Sequence, residues 1–74
     1  MVVPMRLHNR VRERRLQLEL TQEVLASVVG VTRQTIIAIE KGGYTPSVEL
    51  ALKLARALQS PVEQLFWLDA DHEG

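Results

Sequence analysis

Two threonines eleven residues apart, with a glycine between them, constrain this chain more than any other feature: Thr21, Gly30 and Thr32. A threonine hydroxyl just ahead of an apolar-periodic run satisfies the free N–H groups that open a helix. Thr21 therefore starts a helix over 22–29, with Leu25, Ala26 and Val29 as its inward stripe. Gly30 ends it, because the turn calls for positive φ, which glycine adopts without a Cβ clash. Thr32 caps the next helix, 33–41, which buries Ile36 and Ile39. Across so short a turn the two helices cannot lie antiparallel. They cross steeply and the second projects from the body, which makes a helix-turn-helix. Ala26 sits where the helices approach most closely, and a larger side chain there would push them apart.

The rest of the chain supplies the body. A length of 74 residues makes one domain, 1–74, and leaves no room for a second. There is no repeat, low-complexity tract or strand-like alternation, whereas helix starts recur at short intervals. A first helix runs over about 7–18, with Val11 and Leu18 on one face and Arg15 between them. Gly42-Gly43 and the loop Tyr44-Thr45-Pro46 lead to Ser47, which caps a helix over 48–58. Ser60-Pro61-Val62-Glu63 reads as a capping box with proline at the first helical position, opening a short helix over 61–67. The expected fold is all-α, a compact five-helix domain with a frayed acidic tail over 69–74.

Composition removes several functions. The absence of cysteine excludes disulfides, thiolate zinc sites and cysteine nucleophiles. His8 and His72 lie at opposite ends and make no metal pair. Arg6 interrupts the apolar start long before a signal or membrane segment is complete. The reading is a cytoplasmic protein without membrane association, cofactor or small-molecule ligand. No nucleophile, base and orienting group converge, so it is not an enzyme. The net charge is zero, but its distribution is uneven. Residues 1–41 carry seven basic and four acidic groups, and residues 42–74 carry two basic and five acidic. One half is suited to face a polyanion.

The run Thr21-Gln22-Glu23-Val24-Leu25-Ala26, then Gly30, then Thr32-Arg33-Gln34-Thr35-Ile36 and Ile39-Glu40-Lys41-Gly42 resembles the XRE family, which includes the lambdoid phage repressors and Cro proteins. The similarity spans about residues 7–66 and implies a lambda-repressor-like DNA-binding domain. It further implies that Gln22 clamps a phosphate and that Thr32, Arg33, Gln34, Thr35, Ile37 and Ala38 face the major groove. Lys41, Tyr44 and Thr45 flank the helix end, where relatives touch the DNA backbone. It also implies that Arg15 pairs with Glu40, a tie that orients the recognition helix. The chemistry suits these roles: arginine forks onto guanine, glutamine onto adenine, and an exposed aliphatic group meets a thymine methyl.

Each assignment has a plainer competitor. Gln22 and Gln34 also fit a solvated helix surface, Ile37 the core beside Ile36, and Tyr44 simple packing. Arg33 opposes the dipole at a helix start, so stability alone would favour an acid there. The other helix 1 arginines read as a solvated face. Many relatives have glycine where this chain has Glu19, which would be strained if the site needs positive φ. Phe66, Trp67 and Leu68 either close the core or form a two-fold dimer interface. The function read from the sequence is a sequence-specific regulator binding double-stranded DNA, a homodimeric repressor on a palindromic operator. The alternatives are an antitoxin or a restriction-modification controller of the same fold, or a protein-docking module that does not read DNA.

Overall fold

The computed structural model describes residues 5–69. Its elements are β1 (Arg6–Asn9), α1 (Val11–Gln17), α2 (Gln22–Val29), α3 (Arg33–Glu40), α4 (Val48–Ala57), α5 (Val62–Leu65) and β2 (Phe66–Asp69). Hydroxyl caps open three of the helices. Thr21 accepts from the Val24 N–H at 3.0 Å, Thr32 from Thr35 at 3.3 Å and Ser47 from Leu50 at 3.1 Å. Each occupies one of the orphan donors of a first helical turn.

Helices α1 to α4 close with one shared device. Glu19, Gly30, Gly42 and Gln59 have φ of 58°, 79°, 83° and 54°. The residue after each sends its N–H back to the carbonyl five positions earlier: Leu20 to Arg15, Val31 to Ala26, Gly43 to Ala38 and Ser60 to Ala55. This is the Schellman arrangement. At Glu19 and Gln59 a side chain takes the left-handed conformation, at a cost of roughly 1–2 kcal/mol each.

Val11, Leu25, Ile36, Ile39, Leu54, Leu58 and Leu65 are fully buried, so every helix contributes to one core. Each such side chain stabilises the fold by about 1.5–3 kcal/mol. Ala26, 3% exposed, lies in the same cluster.

The expectation of an all-α fold is corrected at both ends of the chain. β1 and β2 pair antiparallel, with Arg6 opposite Asp69, Leu7 opposite Leu68, His8 opposite Trp67 and Asn9 opposite Phe66. The first helix therefore starts at Val11 and not near Leu7. Asn9 explains the difference: its Oδ1 accepts from the Val11 N–H at 3.0 Å, and its Nδ2 donates to the Ile39 carbonyl at 3.0 Å. A side chain that bonds the backbone in this way holds its own residue out of the helix. The last helix stops at Leu65 and not at 67, because Phe66 is extended. The anticipated capping box does not form there. Pro61 is the cap residue and has no side-chain cap bond, while the Ser60 hydroxyl donates to the Pro61 carbonyl. Asp69 belongs to β2, and the remainder of the expected tail, 70–74, lies outside the described residues.

Candidate nucleic-acid interface

Ile36 and Ile39 point into the core, which turns the opposite stripe of α3 outward. Arg33 and Gln34 are exposed there, Ile37 and Ala38 are half-buried, and Lys41 is exposed just past the helix end. Ile37 is neither a core residue like Ile36 nor fully free. Thr32 and Thr35 are engaged with each other: Thr32 caps the helix, and the two hydroxyl oxygens are 3.2 Å apart. Tyr44, 46% exposed, stands in the loop after α3.

A chain of polar contacts links this surface to the body. The Arg15 guanidinium meets Glu40 through Nε to Oε2 at 2.7 Å and Nη2 to Oε1 at 3.3 Å, and Nη1 donates to the Leu20 carbonyl at 2.8 Å. The two side chains are only 9% and 3% exposed. Charges this deep persist only with forked geometry and satisfied lone pairs, and both conditions are met. Gln22 extends the network: its Nε2 donates to Glu40 Oε1 at 3.1 Å, and its Oε1 accepts from Arg33 Nε at 3.3 Å. The first residues of α2 and α3 are thereby joined to the last residue of α3 and to α1. Arg33 also stands 3.9 Å from Glu23, an exposed and weak pairing.

Two roles escaped the sequence reading. Arg14 is not a solvated arginine; it donates from Nε to the Leu58 carbonyl at 2.8 Å and from Nη2 to the Gln59 carbonyl at 3.3 Å. It thus covers carbonyls left bare where α4 ends. No local spacing connects positions so far apart in the chain. Arg10 lies over the Trp67 ring at 4.8 Å, and His8 stacks on the same ring with centroids 5.9 Å apart. Trp67 and Leu68 remain 38% and 58% exposed, whereas Phe66 packs against the core.

Two capped helices joined by a short left-handed turn at Gly30, with a polar stripe on the second and a polar network tying it to α1, define a class: a helix-turn-helix domain. The chain belongs to the helix-turn-helix family in its XRE branch, and the family pattern, described as Helix-turn-helix, matches residues 11–65. It is similar to the HTH-type transcriptional regulator YgzD of Bacillus subtilis, 47% identical over 66 residues, covering 89% of this chain and 100% of the relative. An HTH-type transcriptional regulator of Methanothermobacter thermautotrophicus is 60% identical over 62 residues, covering 82% and 90% respectively. The cryptic phage CTXphi transcriptional repressor RstR of Vibrio cholerae is 35% identical over 57 residues, covering 77% of this chain and 51% of the repressor. Among solved structures, the restriction-modification controller protein C.AhdI from Aeromonas hydrophila superposes with a TM-score of 0.69 at 35% identity, covering 73% of this chain and 82% of that one. The chain is a DNA-binding transcriptional regulator. No helix among the described residues is long and apolar enough to cross a membrane.

Proposed function

We propose that the protein is a cytoplasmic, non-enzymatic, homodimeric repressor that occupies a palindromic operator. The observation that carries this reading is the outward stripe of α3, with exposed Arg33 and Gln34 backed by buried Ile36 and Ile39. In this reading Gln22 and Lys41 contact phosphates and set the register, with Tyr44 beside them. Arg33 and Gln34 read purine edges, Thr32 and Thr35 line the entry to the groove, and Ile37 and Ala38 meet thymine methyls. One protomer presents few base contacts, and a two-fold dimer doubles them, with recognition helices about 34 Å apart. Exposed Trp67 and Leu68 offer apolar surface for that dimer, next to Phe66, which packs against the core and contributes only its half-exposed part. Repression by occupancy needs no further surface. The likeness to C.AhdI favours one second reading, control of a restriction-modification operon through the same surface.

The test is selection of bound duplexes from a random library, run on the wild type and on Arg33→Ala/Gln34→Ala. The expected result is an enriched palindrome that the double variant does not recover. Enrichment of nothing by the wild type, even at low salt, would overturn the reading.

A further inference from the structure

The arginines of α1 do not share one role. Arg14 is spent on the end of α4 and Arg15 on Glu40, while Arg10, just ahead of the helix, lies over Trp67. Arg12 is different. It is exposed, and no hydrogen bond or ion pair ties it to any described residue. It also occupies the first turn of α1, where the helix dipole disfavours a cation by about 0.3–1 kcal/mol. Local stability therefore gives no reason for an arginine at this position.

Its place in the fold does. The Asn9 amide bonded to the Ile39 carbonyl and the Arg15 guanidinium bonded to Glu40 strap α1 across the carboxyl end of α3. Arg12 falls between those two straps in sequence and lines an open groove with Arg10, Glu13, Leu16 and Glu40, and exposed Glu13 forms no ion pair with it among the described residues. The Glu40 charge is already taken by Arg15, so it does not neutralise Arg12. Lys41, the next residue along the chain, is exposed and likewise untied among the described residues. Among the described residues, two uncommitted cations, one in α1 and one just past the last residue of α3, thus lie near one end of the recognition helix.

We infer that Arg12 is a second backbone anchor, which grips a DNA phosphate beside the carboxyl end of α3 and adds affinity without reading sequence. The inference rests on the DNA-binding reading above and extends it to a helix outside the helix-turn-helix. A planar guanidinium suits a phosphate because its N–H groups form a fork that matches two oxygens. Neutralising one phosphate releases condensed counterions, so each such contact adds about −0.9 to the slope of log K against log salt. At about 0.1 M salt that term corresponds to roughly eightfold in affinity per protomer.

The experiment measures binding across a salt series for the wild type, Arg12→Gln and Arg12→Lys. The probes are the duplex recovered by selection and an unrelated duplex of the same length, and thermal melts verify that each variant is folded. Arg12→Gln is expected to flatten the slope by about 0.9 per protomer and to weaken both duplexes about equally, which leaves their affinity ratio unchanged. Arg12→Lys is expected to keep the slope. Wild-type slope and affinity in Arg12→Gln would overturn the anchor, and so would a loss confined to the selected duplex. If the wild type binds neither duplex, the DNA-binding reading fails first, an outcome distinct from an unchanged Arg12→Gln.

Discussion

Arg15→Ala tests the tie behind the recognition helix most directly. The substitution removes two hydrogen bonds to Glu40 and one to the Leu20 carbonyl. It leaves a carboxylate that is 3% exposed with the Gln22 amide as its remaining donor. Stranding one member of a buried pair costs about 3–5 kcal/mol. A chain of this length has roughly 4–11 kcal/mol in total, at about 0.05–0.15 kcal/mol per residue, so the variant should be close to unfolding. Glu40→Ala strands the guanidinium instead and should cost a similar amount. Arg15→Met/Glu40→Leu removes both charges and keeps most of the volume, so it should lose far less than the sum of the single changes. Urea denaturation at fixed protein concentration, followed by the fluorescence of Trp67, measures all of these. With a slope near 1 kcal/mol per molar urea, each single variant shifts the midpoint by about 3–5 M or has no folded baseline. Losses below about 1 kcal/mol for the single variants, the range of a surface pair, would refute the reasoning. Simple additivity in the double variant would refute it as well.

Two further substitutions probe the helix ends and the helix crossing. Glu19→Gly places at φ 58° the residue that tolerates it, and should raise stability by up to about 1 kcal/mol, roughly 4–8 °C in Tm. A lower Tm in a thermal melt would show that the Glu19 side chain contributes something the strain argument omits. Ala26→Leu overpacks a site 3% exposed in the core cluster and should cost about 1–3 kcal/mol by denaturation. Its affinity for the selected duplex should fall by more than the loss of folded protein explains, because α3 is displaced; unchanged affinity at full folding would contradict that placement.

The middle of the chain was legible because its signals are local. Thr21, Thr32 and Ser47 each bond an N–H three residues ahead, and Gly30 turns the chain where the apolar stripe ends. The resemblance pointed to Arg15 and Glu40 as partners, and the structure brings the two side chains together across 25 positions of sequence. What local pattern did not reveal was decided by distant partners. Asn9 leaves the helix for the Ile39 carbonyl, Arg14 turns to the Leu58 carbonyl, and residues 66–69 extend because residues 6–9 lie beside them. A four-residue strand whose partner lies at the other end of the chain carries no periodicity long enough to detect. The Ser60-Pro61-Val62-Glu63 signal misled for a related reason. Its hydroxyl is taken by the Pro61 carbonyl, so the pattern is present without its geometry.

The ladder that sets Arg6 against Asp69 gives the chain the topology of a closed ring. Joining partners so far apart in sequence demands the largest loop closure in the molecule, and its entropy is recovered only once the helices between have condensed. Contact order thus predicts that the pairing of β1 with β2 follows the condensation of the helices between them. Once the two strands meet, the polypeptide enters and leaves the domain at one place, along neighbouring strands. Segments fused ahead of Arg6 and behind Asp69 would emerge side by side, and a short linker across them would convert the ring in space into a ring in sequence.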